Sequence, residues 1–109
     1  VIPDLTAHEL REREMAGTRP PILDVRSRAE FLRGHVPGAV HAPVWSLVLR
    51  TRRLPISLHD PIVVYCGHGP RARVARALLR WHGFTRVACL AGHMAGWRAA
   101  GLPVASGER

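Results

Sequence analysis

Ile62-Val63-Val64-Tyr65-Cys66-Gly67-His68-Gly69-Pro70-Arg71-Ala72 runs from an apolar stretch into a helix start with only a short glycine-bearing turn between them. Ile62 to Tyr65 is β-branched and aromatic and follows the Asp60-Pro61 breaker, the pattern of a strand buried on both faces. Arg71 to His82 continues with helical periodicity and ends at Gly83. A buried strand feeding directly into a helix is the repeating unit of a parallel sheet. The segment is therefore expected at the centre of an α/β domain.

The flanking sequence repeats the alternation. Thr6-Ala7-His8-Glu9 is a capping box that opens a helix to about Met15, with Leu5 placed to staple onto Leu10. Ile22 to Val25 reads as a short strand. Ser27-Arg28-Ala29-Glu30 is a second capping box, opening a short helix that Gly34 stops. After the Pro37-Gly38 turn, Ala39 to Ala42 reads as a strand and Trp45 to Arg53 as a helix. Beyond Gly83, Arg86 to Leu90 reads as a strand and Met94 to Ala100 as a last helix, with Ser106 to Arg109 expected to fray. This order predicts a mainly parallel central sheet with helices on both faces, in which ligands bind at the carboxyl ends of the strands.

Composition narrows the function classes. With 109 residues, 47% hydrophobic and 22% charged, one domain spanning residues 1–109 is expected, without need of disulfide or metal staples. No apolar run approaches the roughly 18 residues of a membrane span, and no basic-then-apolar leader opens the chain. A start at Val1 without Met leaves fusion to another domain open. Two cysteines make neither a disulfide framework nor a zinc pairing, so a reducing, cytoplasmic compartment is expected. The formal charge of +8 comes from sixteen arginines and no lysine, scattered along the chain with few aromatics. Such scatter predicts attraction for small anions rather than a nucleic-acid surface.

Chemistry concentrates after the central strand. Gly67 and Gly69 let the backbone curl with N–H groups pointing inward, and the following helix start adds partial positive charge at the same place. Such a concavity holds an anion, and a cysteine facing it is favoured as the reactive thiolate. Cys66 is thus the candidate nucleophile, provided that its side chain faces the loop amides; otherwise it is a small buried hydrophobe. On the helical wheel Arg73, Arg76 and Arg80 gather on one side, and Arg71 falls opposite with Val74, Ala75 and Leu78. Two partners suit an inward Arg71: an anion beside Cys66, or a core carboxylate such as Asp24. Cys89 lies inside the apolar run Val87 to Ala91 and reads as packing.

With these residues in view, the chain resembles a single-domain rhodanese, a sulfurtransferase. Asp24-Val25-Arg26, Glu30-Phe31 and Gly34-His35-Val36-Pro37-Gly38-Ala39 are similar to the family's amino-terminal signature. Cys66-xx-Gly69-x-Arg71 resembles its active-site loop, and Leu90-Ala91-Gly92 with Trp97 its closing motif. The resemblance implies that Cys66 takes the outer sulfur of a small anionic donor such as thiosulfate and passes it, as a persulfide, to cyanide or to a thiol or dithiol protein acceptor. It implies that the amides of Gly67, His68, Gly69, Arg71 and Ala72 hold the persulfide, with Arg71 orienting the donor. Asp24, Arg26 and His35 are expected to fix loops around the site by hydrogen bonds, and His68 to add charge near the pH range in which histidines titrate. No cofactor and no metal are implied; the seven histidines are dispersed.

Two positions depart from the family pattern. Pro70 removes one possible N–H donor, although proline suits a first helical position. His93 stands where the family commonly has a second glycine beside Gly92, a position expected to bear on the acceptor. Other classes are weighed against the sulfurtransferase. A phosphatase or arsenate reductase on this fold has five residues between cysteine and arginine; four intervene here, a loop better sized for one sulfur than for phosphate. A non-catalytic or regulatory binding module of this family would not require Cys66, Gly69 and Arg71.

Overall fold

The structure, a computed structural model, describes residues 3–50 and 56–108. Elements follow in the order α1 (Ala7–Met15), β1 (Ile22–Asp24), α2 (Arg28–Arg33), β2 (Val40–His41), α3 (Ser46–Arg50), β3 (Ile62–Tyr65), α4 (Pro70–Trp81), β4 (Val87–Cys89) and α5 (His93–Ala99). Both capping boxes form: Thr6 and Glu9 cap α1, and Ser27 and Glu30 cap α2. Helix α4 begins at Pro70, one residue before its sequence-based start, because proline fits a first position that needs no N–H. The expected helix to Arg53 is described through Arg50; its remainder lies outside the described residues.

The four strands form a parallel sheet in the order β2-β1-β3-β4, so β1 and β3 are interior and Asp24 pairs with Tyr65 at their carboxyl ends. Leu5 adds a parallel bridge to Leu90 beyond β4. Strand residues alternate between two apolar layers, as a two-residue period requires. Leu23, Val25, Ile62 and Val64 meet Leu47 of α3 and Ala72, Ala75 and Leu79 of α4. Ile22, Val63 and Tyr65 meet Ala7 and Leu10 of α1 and Met94 and Trp97 of α5. Leu5 and Leu10 are buried in that second layer, where a staple would put them. Helices thus cover both faces, and the α/β parallel architecture expected from the alternation is present.

The carboxyl-terminal segment differs from expectation. Ala105 exchanges backbone hydrogen bonds with His35 (2.8 and 2.9 Å), and the Gly107 N–H donates to the Leu32 carbonyl at 2.9 Å. These bonds continue past Ser106 to Gly107 and tie this stretch to the end of α2 in place of fraying; Arg109 lies outside the described residues. Among the described residues, no helix is long and apolar enough to cross a membrane.

Candidate active site

Cys66 is the first residue beyond β3, and its main chain is pinned by the start of α5. The Met94 and Ala95 amides donate to the Cys66 and Gly67 carbonyls at 2.9 and 3.2 Å. Gly69 turns the chain at φ +134°, a value that side-chain-bearing residues rarely adopt, and its N–H then donates to Cys66 Sγ at 3.0 Å. The sulfur is fully buried and joins the apolar layer containing Val64, Ala72 and Cys89, yet it is engaged by the loop. The two placements weighed for Cys66, facing the loop amides and buried as a small hydrophobe, therefore meet in one position: the sulfur is the floor of the loop. Of the loop amides expected to surround it, Gly69 supplies the bond. Among the described residues, the amides of Gly67, His68, Arg71 and Ala72 have no acceptor within the chain. His68 is exposed, whereas the Ala72 methyl is buried in the α4 stripe.

Arg71 does not lie on the inward face of α4. The buried stripe is Ala72, Ala75 and Leu79, with Val74 exposed, so the helix is rotated from the orientation read off the wheel and Arg71 falls at the rim, its side chain 41% exposed. Its carboxylate partner is Glu30 rather than Asp24. Arg71 Nη1 and Nη2 donate to Glu30 Oε1 and Oε2 at 2.6 and 3.1 Å, a bidentate pair. One guanidinium nitrogen lies 3.3 Å from the position a Gly67 Cβ would take, so Arg71 covers the loop beside Cys66. Hydrogen bonding by Arg71, then by Ser27, outweighs burial and holds the Glu30 carboxyl at about 2, well below the usual carboxylate range. The same bond raises Arg71. Sequence reasoning placed Glu30 in the capping box and in the amino-terminal signature, and did not pair it with Arg71. The signal for its second role was the pairing of β1 with β3, which sets the start of α2 beside the loop after β3.

Asp24 is occupied elsewhere, in a buried network. It accepts from the Arg26 amide at 3.0 Å, from Arg26 Nη2 at 2.7 Å and from the Tyr65 hydroxyl at 2.7 Å. Arg26 also donates to the Gly34 carbonyl at 2.6 Å, and the Tyr65 oxygen accepts from the Val36 amide at 3.0 Å. Three segments are thereby locked: the ends of β1 and β3 and the turn after α2. Burial, then the nearby Asp24 charge, pushes the Tyr65 hydroxyl far above its ordinary value, so it remains a donor. Burial opposes charge on Arg26, but the hydrogen bond and charge of Asp24 prevail and raise it. His35 is fully buried, stacked on Phe31 at 3.8 Å, with Nδ1 2.8 Å from the Phe31 carbonyl. Tyr65 was read only as a strand residue; its hydroxyl is the part of this network that an apolar pattern conceals.

His93 was the other residue underweighted in the sequence. Its Nδ1 accepts from the Cys66 amide at 3.2 Å, so it contacts the main chain of the loop cysteine. Cys89, by contrast, is buried, and burial pushes its thiol upward, which suits packing.

Comparison with known proteins gives the family of this chain. The Rhodanese-like domain model matches residues 6–100. The chain belongs to the rhodanese-like domain family. This rhodanese-like domain is 30% identical to a sulfurtransferase of Allochromatium vinosum over 109 residues, 99% of each chain. It is 35% identical to the thiosulfate sulfurtransferase GlpE of Pseudomonas putida over 98 residues, 90% of this chain and 84% of that one. Among solved structures, the rhodanese-like domain of the Anabaena Alr3790 protein superposes with a TM-score of 0.87 at 34% identity, covering 99% of this chain and 82% of that one. The rhodanese-like domain thus has sulfurtransferase-named relatives along nearly its full described length.

Proposed function

We propose that this domain is a sulfurtransferase that carries sulfane sulfur on Cys66, with thiosulfate or a similar small anion as donor. The observation that carries the reading is the Gly69 N–H directed at Cys66 Sγ, 3.0 Å away, because a main-chain donor aimed at the sulfur favours negative charge on it. The Cys66 thiolate attacks the outer sulfur of thiosulfate; a new S–S bond forms as the donor's S–S bond breaks, and sulfite leaves with the bonding electron pair. Cyanide or an acceptor thiolate then attacks the outer persulfide sulfur, and Cys66 departs as thiolate. Two half-reactions through one covalent intermediate give ping-pong kinetics.

Burial of Cys66 favours a donor whose reacting atom is terminal, as it is in thiosulfate. The unpartnered amides of Gly67, His68, Arg71 and Ala72 are the donors that would hold the terminal persulfide sulfur. Arg71 spends two of its five N–H donors on Glu30, and those that remain suit a sulfonate at the rim. Asp24, Arg26 and His35 brace the surrounding turns. A cytoplasmic setting with a thiol or dithiol protein as acceptor fits two free cysteines, one of which must stay reduced to turn over. The test is thiosulfate:cyanide transfer by single variants. Cys66→Ser abolishes it, and Cys89→Ser retains it within about threefold, as expected of a packing substitution. Activity that survives in Cys66→Ser would exclude Cys66 as the carrier.

A further inference from the structure

His93 is a side-chain-bearing residue held at φ +53°, in the left-handed region, and it follows Gly92 at φ +79°. This backbone turns its half-buried ring toward the Cys66 loop. One ring nitrogen, Nδ1, accepts from the Cys66 amide at 3.2 Å. The other, Nε2, lies 3.3 Å from the position a Gly69 Cβ would take. The imidazole therefore spans the two residues that fix the sulfur: Cys66 itself, and Gly69, whose N–H donates to Sγ. Acceptance at Nδ1 requires that this nitrogen carry no proton, which assigns the neutral ring with its proton on Nε2.

We propose that His93 is a positioning residue for the sulfur-transfer reaction: its neutral ring holds the Cys66 loop in the reactive geometry, and protonation of the ring releases it. The proposal rests on the sulfurtransferase reading for its kinetic consequence alone. Protonation turns Nδ1 into a second donor facing the Cys66 N–H, so the bond is lost and two donors oppose one another. Backbone bonds from Met94 and Ala95 to the same loop do not involve the ring, and they keep the segment docked when the ring is changed. The charged and titratable groups near enough to act on the His93 ring are Asp4 from the segment before α1, Arg73 from α4 and His68 from the loop. Burial foremost, then Arg73 and His68, disfavour the charged ring, whereas Asp4 favours it, and the balance lies below the ordinary histidine value. The brace therefore holds at neutral pH and releases on the acid side.

Asparagine separates these effects, since its Oδ1 occupies the place of the histidine Nδ1, it tolerates the left-handed region and it does not titrate. Sulfur loading onto Cys66 from thiosulfate is measured between about pH 8 and pH 5 for the wild type, His93→Asn and His93→Gly, together with the amide shift of Cys66 in the wild type by ¹⁵N–¹H NMR. The wild-type rate is expected to fall about tenfold on the acid side, His93→Asn to stay within about threefold of the neutral rate throughout, and His93→Gly to be about tenfold slower at every pH. The Cys66 amide shift is expected to follow the protonation of the His93 ring. A His93→Asn profile that superposes on the wild type, or an amide shift that ignores the ring, overturns the proposal. If the wild type loads no sulfur at any pH, the sulfurtransferase reading fails by itself, and the amide titration still decides whether His93 braces the loop.

Discussion

Glu30 shows how one carboxylate can serve two structures at once. Its Oε1 accepts from the Ser27 amide and hydroxyl at 3.2 and 3.0 Å while also receiving Arg71 at 2.6 Å, so α2 and the Cys66 loop share an anchor. Because its folded-state value is lowered to about 2, the stabilisation is present above the ordinary glutamate range and lost as pH falls from there toward 2. Solvent screening at the half-exposed Arg71 keeps the pair modest. Glu30→Gln should cost about 1 kcal/mol at neutral pH and roughly half of that or less at pH near 3, read by urea denaturation at the two pH values. The same substitution frees Arg71, so KM for thiosulfate should change by several-fold while Cys66 still loads sulfur. Tyr65 belongs to a drier network. Tyr65→Phe removes a donor to Asp24 and an acceptor from Val36, both buried, and should lower stability by about 2 kcal/mol in the same measurement.

At the scale of elements, the loop between β3 and α4 depends on Gly69. A methyl there would sit 3.3 Å from His93 Nε2 on a backbone at φ +134°. Gly69→Ala should therefore cost about 1–3 kcal/mol, and sulfur loading should fall further than stability does, because the strain is relieved by moving the N–H that reaches Sγ. Helix starts and strand cores were legible because their signals are local: Thr6 and Ser27 cap by side chains three residues from their partners, and Ile62 to Tyr65 is apolar throughout. The rotation of α4 was not. A wheel ranks positions within a helix, but the sheet decides which edge faces inward, and it selected Ala72, Ala75 and Leu79, leaving Arg71 at the rim. The φ of His93 was equally hidden, since histidine carries no strong local signal for the left-handed region and the docking of α5 on the loop imposes it.

Across the whole molecule, the parallel sheet gathers at one end the residues that chain order separates. Asp24 ends β1 and Arg26 lies just beyond it, Cys66 to Arg71 follow β3, and His93 follows β4. The position of Cys66 and of its loop was readable because a buried apolar strand running into a glycine-bearing helix start is a local pattern. The supporting contacts, from Glu30 to Arg71 and from His93 to Cys66, cross 41 and 27 residues of sequence and exist only once the strand order is set. Intact-mass measurement after thiosulfate treatment tests sulfur carriage by Cys66 most directly. The protein should gain a single sulfur, about 32 Da, that cyanide removes and that is absent from Cys66→Ser. An unchanged mass, or a gain that persists in Cys66→Ser, would contradict a Cys66 persulfide.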